Sequence, residues 1–458
     1  MKAIADPHGL LAAGLAAIRE QYDVPGDFPP AVLAEAEAAK GRAPADHADW
    51  TDRHFVTLDP ASSTDLDQAF LIEQAGGDLL LHYALADVGW FVPPGSALDA
   101  EAWRRGLTLY LPDGRARLYP AVLSEAASSL LPDGPRPAIV ASVRCGREGA
   151  VSLEGVVRAV VHSRAKLAYE TTEPADVPLL AEFAARMQRS SDARGAATSS
   201  PPDQELERDE AGTFTLHVRP WRPSEVANSA LSLAANIAIA EALWAAGTGM
   251  FRTMAPPGDQ AVARLRLTAR ALGLDWPDNA TFAQFNRTVD PRTRAGATFA
   301  LAVRRATGHA GYVPYTPGET PWHAALGATY THATAPMRRL ADRYVLDEAL
   351  ALARGRPKSD PALFARLAKA MDVADAREGA IERATLDLAE AVMLHGREGE
   401  TFAAMVTERD DRGARIQLCD LPILARVDAH RIAAGDRLRV RLTHADPQRR
   451  EVRFERVN

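Results

Sequence analysis

The stretch that most constrains this chain is 54-HFVTLDPASSTDLDQAFLIE-73. Phe55, Val56 and Leu58 read as a short strand, a polar loop follows, and a second apolar run opens at Ala69. Any fold that accepts this segment must hold Asp59, Asp65 and Asp67 between two strands, with Gln68 beside the last of them. In extended chain Asp65 and Asp67 leave the same side. Asp59 reaches them if 60–64 loops back. Three carboxylates gathered this way repel one another unless a cation neutralises them, and a hard divalent ion with oxygen ligands is the natural choice. Such an ion suits phosphodiester hydrolysis, where it activates water and stabilises the attacking and leaving oxygens. Asp, Ser, Thr and Pro are also turn formers, so a solvated acidic turn stands beside the metal reading. An EF-hand loop is excluded, because its Gly and terminal Glu are absent.

A chain of 458 residues suggests two or three domains, and an apolar fraction of 47% allows a sizeable core. The net charge of −7 argues against a uniformly basic nucleic-acid binder but leaves room for a local basic channel. Lysine occurs only at 2, 40, 166, 358 and 369, so nearly all the basic residues are arginines. Arginine grips phosphate with two parallel hydrogen bonds, although an Ala- and Arg-rich composition also follows from genome bias. Cys145 and Cys419 lie far apart, outside any disulfide framework or zinc spacing. No signal-peptide pattern is visible. The apolar stretch 229–251 is interrupted by Asn236 and Glu241 and ended by Gly247 and Gly249, which reads as a buried core helix. The expectation is a cytosolic protein with no membrane segment. No phosphate loop, dinucleotide-binding glycine turn, kinase motif set or nucleophile elbow is present, so no nucleotide cofactor is expected.

Along the chain, Leu10, Leu11, Leu15 and Ile18 recur at helical spacing, and Pro29-Pro30 opens a second helix through Ala39. Residues 1–50 therefore read as a small helical region, either packed on the next domain or forming a helix-turn-helix unit. From 51 to 396 strand-like and helix-like runs alternate, consistent with a large α+β domain. Residues 190–212 are polar and read as a mobile surface loop or hinge, followed by a helix over 224–247. In 328-ATYTHATAPMRRLADRYVLDEAL-350, Thr334 is the expected N-cap and Pro336 suits the first turn, which puts Arg338, Arg339 and Asp342 in the first two turns. A helix N-terminus favours anions, and an arginine there adds a phosphate clamp. A long helix spans about 362–396. From 397 to 458, runs at 401–407, 414–419, 423–427, 437–443 and 451–455 predict a five-stranded OB-fold β-barrel. Arg437, Arg439 and Arg441 alternate with Leu438, Val440 and Leu442. With Arg426 they form either a basic face for RNA or a plain solvated face.

The segment 57-TLDPASSTDLDQAF-70 resembles the signature of the ribonuclease II (RNB) family of 3′-to-5′ exoribonucleases, with Asp59, Asp65 and Asp67 on its first three aspartates and Gln68 where a fourth is usual. The blocks 78–112 ("ADV", "GS-x-LD-x-EA", "RG-x-x-x-YLP"), 119–138, 163–170 and 250–260 are similar to further blocks of the family. The segment 328–350 resembles its "YTH-x-TSP-I-RR-x-x-D" motif. Both motifs stand in family order about 270 residues apart. The relatives usually place two OB folds before the catalytic domain, for which 50 residues leave no room.

The resemblance implies an RNB-type catalytic domain over 51–396 and an RNA-binding OB fold over 397–458. It implies a hydrolytic, processive enzyme that degrades single-stranded RNA to nucleoside 5′-monophosphates with Mg²⁺. Asp59, Asp65, Asp67 and Gln68 would be its metal ligands, with Asp67 nearest the attacking water. Arg338 would hold the scissile phosphate, Tyr110 the 3′ end, Arg339 and Arg252 the neighbouring RNA, and Glu382 would lie near the reaction. For Arg252 a structural ion pair is the other reading, and His323 and His332 are read as packed histidines. A monomer is expected. The rival reading is a catalytically impaired RNA-binding protein of the same fold, because Gln68 removes one negative charge. A helix-turn-helix DNA-binding regulator rests on the first 50 residues alone.

Overall fold

The computed structural model describes residues 2–4, 9–196, 203–208, 214–219, 221–290, 293–306, 309–356, 358–410, 413–421, 423–428, 432 and 435–457. Its centre is a closed five-stranded barrel of Ala48–Asp59, Gln68–Ala75, Asp78–Ala86, Arg136–Cys145 and Val151–Ala168, hydrogen-bonded in that order. Neighbouring strands are antiparallel. The barrel closes by a parallel pairing of its first and last strands, with Asp59 opposite Ala168. Alternation splits the buried residues into two sets. Phe55, Ala69, Ala84, Ala138, Val140, Ala159 and Val161 come from all five strands and fill the barrel with Leu66 and Leu130. Leu58, Phe70, Leu81, Tyr83, Leu85 and Ile139 face outward against helices. Burial on both sides explains why 79–86 is apolar at every position but His82.

The helix Pro223–Ala246 packs on this outer face through Ala227, Leu231, Ala234, Ala238 and Leu243. It is the one described helix long and apolar enough to cross a membrane, with a mean hydropathy of 1.4 over a window half buried inside the protein. Its small residues let it approach the strands closely, as a core helix does. The helices Leu340–Ala353 and Pro361–Leu394 complete this layer.

The N-terminal helices form at Leu10–Gln21 and Pro30–Ala39. They do not make a helix-turn-helix unit. Leu11, Leu15 and Ile18 pack with Ile381, Ala384 and Leu388 of the long helix. Val32, Ala36 and Ala39 join the main core instead. The first contact is close: a Cβ on Gly14 would lie 2.4 Å from Leu388 Cδ1. Each helix spends its apolar face on a different partner, which removes the basis for a DNA-reading unit.

The expected loop at 190–212 is also corrected. The helix Leu180–Arg194 runs into it, and Asp203–Arg208 pairs with Phe214–Arg219, which pairs in turn with Lys2–Ile4. Residues 197–202 and 209–212 of that expectation lie outside the described residues.

The five strands expected over 397–458 form: Thr401–Asp410, Gly413–Leu418, Leu424–Asp428, Arg437–Asp446 and Glu451–Val457. They close as a barrel in which the fourth strand pairs with the first and the third runs parallel to the fifth, the OB-fold order. Arg437, Arg439 and Arg441 alternate with buried Leu438, Val440 and Leu442 and face solvent. Arg441 pairs with Glu455 at 3.0 Å. Arg426 lies two strands away from them.

Candidate active site

The acidic loop between the first two barrel strands is fixed from below. Lys166 Nζ donates to the carbonyls of Ala61 and Ser63 at 2.7 and 2.6 Å. Ser129 Oγ donates to the Thr64 carbonyl and accepts the Leu66 N–H. Asp59, at the end of one strand, and Asp67, just before the next, are thereby brought to the same rim of the barrel.

Their partners differ. Asp67 is buried; its Oδ1 accepts the Met337 N–H and its Oδ2 accepts Arg338 Nε, both at 2.7 Å. Burial pushes its carboxyl up to about 6, an effect that Arg338 and the Met337 N–H only partly offset. Asp59 has no hydrogen bond or ion pair from its side chain among the described residues, and burial raises its carboxyl to about 7. Asp65 accepts Arg115 Nη1 at 2.8 Å and faces the Tyr110 hydroxyl at 3.3 Å.

Gln68 is committed to the protein at both ends. Its Nε2 donates to the Thr334 carbonyl and its Oε1 accepts the Tyr83 hydroxyl, each at 2.5 Å.

The arginine motif reaches the rim differently from the sequence expectation. Thr334 is not an N-cap. The helix begins at Leu340, and Thr334 Oγ1 bonds Ser232 Oγ at 2.7 Å. Residues 335–339 form a turn, with the Arg338 and Arg339 N–H groups on the Ala335 carbonyl. Arg339 is extended and bridges Leu107. Asp342, in the first helical turn, accepts the Ala335 N–H at 2.7 Å and clamps Arg339 through both of its oxygens. The two arginines therefore precede the helix. The cause is tertiary: the Thr108 N–H to Arg338 carbonyl and Leu340 N–H to Gly106 carbonyl bonds hold this segment as a strand-like edge.

Arg338 is the side chain on which the site converges. Asp67 holds its Nε, and its two terminal nitrogens have no protein partner among the described residues. They stand where two cavities meet. One, of about 520 Å³, is lined by Asp59, Ser63, Asp65, Tyr110, Arg115 and Arg338. The other, of about 670 Å³, shares Tyr110 and Arg338 and adds Arg252, Arg339, Tyr312 and Glu382. The Tyr110 ring is exposed between them.

Of the remaining sequence-derived candidates, Arg252, His332, Arg339 and Glu382 line the second cavity. Arg252 pairs with Asp375 at 2.5 Å and stacks over the Tyr312 ring, so it carries the ion pair that its sequence context allowed. Glu382 lines the wall beside Glu378, whose carboxyl is raised to about 7 by burial and by Asp375 and Glu382. His332 Nδ1 bonds the Tyr312 hydroxyl at 2.9 Å. Burial and two arginines hold it neutral, as burial and Arg252 do for His323, whose value falls to about 4.

Sequence reasoning missed Arg115, Lys166 and Ser129. Arg115 faces Tyr110 across a two-stranded hairpin, and nothing local distinguishes it from other surface arginines.

Among the described residues no three His, Cys, Asp or Glu side chains are grouped to hold a metal, and Asp67 is turned to Arg338. The donor set still fits one hard divalent cation. Two carboxylates, Asp59 and Asp65, line the same cavity, and the charge of Asp59 is not compensated by any bond.

A model of the RNB domain matches residues 47–351, and a model of the RNase II-type exonuclease C-terminal S1 domain matches residues 400–457. Over 500 aligned residues the chain is 26% identical to Ribonuclease R of Aquifex aeolicus, spanning 96% of this chain and 70% of that protein. A stretch of 124 residues is 40% identical to Exoribonuclease 2 of Proteus mirabilis, covering 27% of this chain and 19% of the relative. The fold matches Mycoplasma genitalium RNase R in complex with ribose methylated single-stranded RNA at a TM-score of 0.86 and 19% identity, over 100% of this chain and 79% of that one. It also matches yeast Ssd1, a pseudonuclease, at a TM-score of 0.70 and 16% identity, over 95% and 57%. At these identities the structural matches establish the fold.

Proposed function

The chain belongs to the RNB family, and from that premise we propose that it is a Mg²⁺-dependent, hydrolytic, processive 3′-to-5′ exoribonuclease acting on single-stranded RNA. The observation that carries this reading is the free fork of Arg338, held by Asp67 at the junction of an acidic cavity and a second, larger one.

In this reading the two terminal nitrogens of Arg338 hold the scissile phosphate, the geometry for which a guanidinium is suited. The Tyr110 ring supports the base at the 3′ end, a contact indifferent to sequence because every base has a stacking face. Asp67 orients Arg338 and keeps its Nε out of competition for the phosphate. Asp59 and Asp65 would hold the cation, which when bound supplies an activated water and charge for the leaving oxygen. RNB ribonucleases are generally dependent on a divalent metal. Arg252, Arg339 and Glu382 line the path of the neighbouring nucleotides, and contacts with the 2′-hydroxyl select RNA. The products are nucleoside 5′-monophosphates, and the cytosol is the proposed location.

A second reading has its own observation. Gln68 is engaged by Tyr83 and Thr334, which leaves the acidic cavity one carboxylate short of the family pattern and favours an impaired RNA-binding protein. A 5′-labelled single-stranded RNA incubated with protein and Mg²⁺ or EDTA separates the two. Stepwise shortening from the 3′ end with Mg²⁺ alone supports the enzyme. RNA that is bound but intact at every Mg²⁺ concentration supports the impaired form.

A further inference from the structure

We propose that Gln68 is a positioning residue: its amide ties the turn that carries Arg338 to the aspartate strand. It is not a metal ligand that happens to lack a charge. The proposal rests on the reading of Arg338 as the phosphate grip. Asp67 and Gln68 are consecutive, so their side chains leave opposite sides of the chain. Both nevertheless bond the same turn, Asp67 at Met337 and Arg338 and Gln68 at the Thr334 carbonyl. The turn is therefore gripped at both of its ends by two adjacent residues.

Two features show that an amide is needed there. Thr334 is buried, and no donor other than Gln68 Nε2 reaches its carbonyl among the described residues. An ionised carboxylate cannot donate, so Glu or Asp at 68 would set oxygen against oxygen and leave that carbonyl unsatisfied. The Thr334 carbonyl can only accept and so takes Nε2, while the Tyr83 hydroxyl, also buried, donates to the Oε1 at the other end, so the place calls for a donor and an acceptor on one side chain. Restoring the aspartate that the family pattern has at this place would therefore harm this protein.

The test compares the wild-type protein with Gln68→Glu and Gln68→Asp. Hydrogen–deuterium exchange of the peptide spanning 332–339 is expected to quicken about tenfold in both variants, with the barrel strands unchanged, since one buried hydrogen bond of this kind is worth roughly a factor of ten. Unchanged exchange at 332–339 overturns the proposal. Affinity for a 2′-O-methylated single-stranded RNA in EDTA is expected to fall about tenfold in Gln68→Glu, and to fall no further when Gln68→Glu is added to Arg338→Ala. Fully additive losses overturn it. If the wild-type protein binds no RNA, the proposed function fails and the exchange experiment alone decides the tie. Direct Mn²⁺ titration is expected to give the same affinity in all three proteins. Tighter Mn²⁺ binding in Gln68→Asp, or faster RNA shortening than wild type, overturns the proposal and makes position 68 a ligand position.

Discussion

Replacing Asp67 by Asn should leave a folded protein that binds RNA and does not cut it. The amide is isosteric with the carboxyl, so its oxygen can still accept the Met337 N–H now received at 2.7 Å. What is lost is the charge-assisted bond from Arg338 Nε, also 2.7 Å long, in a class worth about 1.5–3 kcal/mol. The Arg338 side chain is 39% exposed, and water can solvate it once the partner is gone, so the lower end of that range applies. Working the other way, burial disfavours the Asp67 anion strongly enough to hold its carboxyl up to about 6, and a neutral amide escapes that cost. The two effects oppose each other, and the net change in stability should stay within about 2 kcal/mol. Turnover should suffer far more. Arg338 loses its orienting partner and the site loses a charge, and removing one group that stabilises a transition state typically costs about a hundred- to a thousandfold. The assay pairs a urea titration with single-turnover shortening of a 5′-labelled RNA in Mg²⁺. A stable variant with turnover within tenfold of wild type would refute the role given to Asp67. A variant that loses more than about 5 kcal/mol of stability would refute the balance of forces argued here.

Other outcomes follow from the same structure. Tyr110→Ala should weaken single-stranded RNA binding by about one to two powers of ten, since stacking on one aromatic is worth roughly 1–3 kcal/mol, whereas Tyr110→Phe should be near neutral by fluorescence anisotropy. His323 is held down to about 4 and His332 well below its usual value, so between pH 6.5 and 4 the unfolded chain takes up protons that the native state refuses. That stability is fully present above pH 6.5 and is lost as pH falls; at pH 5.5 each histidine should cost about 1.4 kcal/mol, and His332→Gln should flatten the slope of urea midpoint against pH. Gly149→Ala should destabilise by more than about 3 kcal/mol in the same titration, because Gly149 has φ +78° and a Cβ there would lie 2.0 Å from the Arg186 carbonyl oxygen.

Elements whose signal is local were legible in the sequence. The five C-terminal strands, the helices Leu10–Gln21, Pro223–Ala246 and Pro361–Leu394, and the strand–loop–strand around the aspartates follow from periodicity and turn residues close at hand. Features set by distant partners were not. Thr334 has the composition of an N-cap, yet the pairing of 338–340 with 106–108 delays the helix by several residues. The two N-terminal helices looked like a unit because they are neighbours in the chain. Their apolar faces are claimed by Leu388 and by the main core, which no spacing within the first 50 residues reveals. Asp59, Asp65, Asp67, Tyr110 and Arg338 share one neighbourhood, as the family resemblance suggested. The resemblance was silent on Arg115, and it gave no reason for Gln68 until Tyr83 and the Thr334 carbonyl supplied one.

The bond between Asp67 and Arg338 spans 271 residues and has a bearing on how such a chain is made. On a ribosome the barrel strands are complete once Ala168 has emerged, so the aspartates can be in place long before the arginine exists. Until residues 331–342 arrive and dock against 106–108, the acidic pocket lacks Arg338 and Asp67 lacks the partners it has at both oxygens. A nascent or truncated chain of this kind holds half a site.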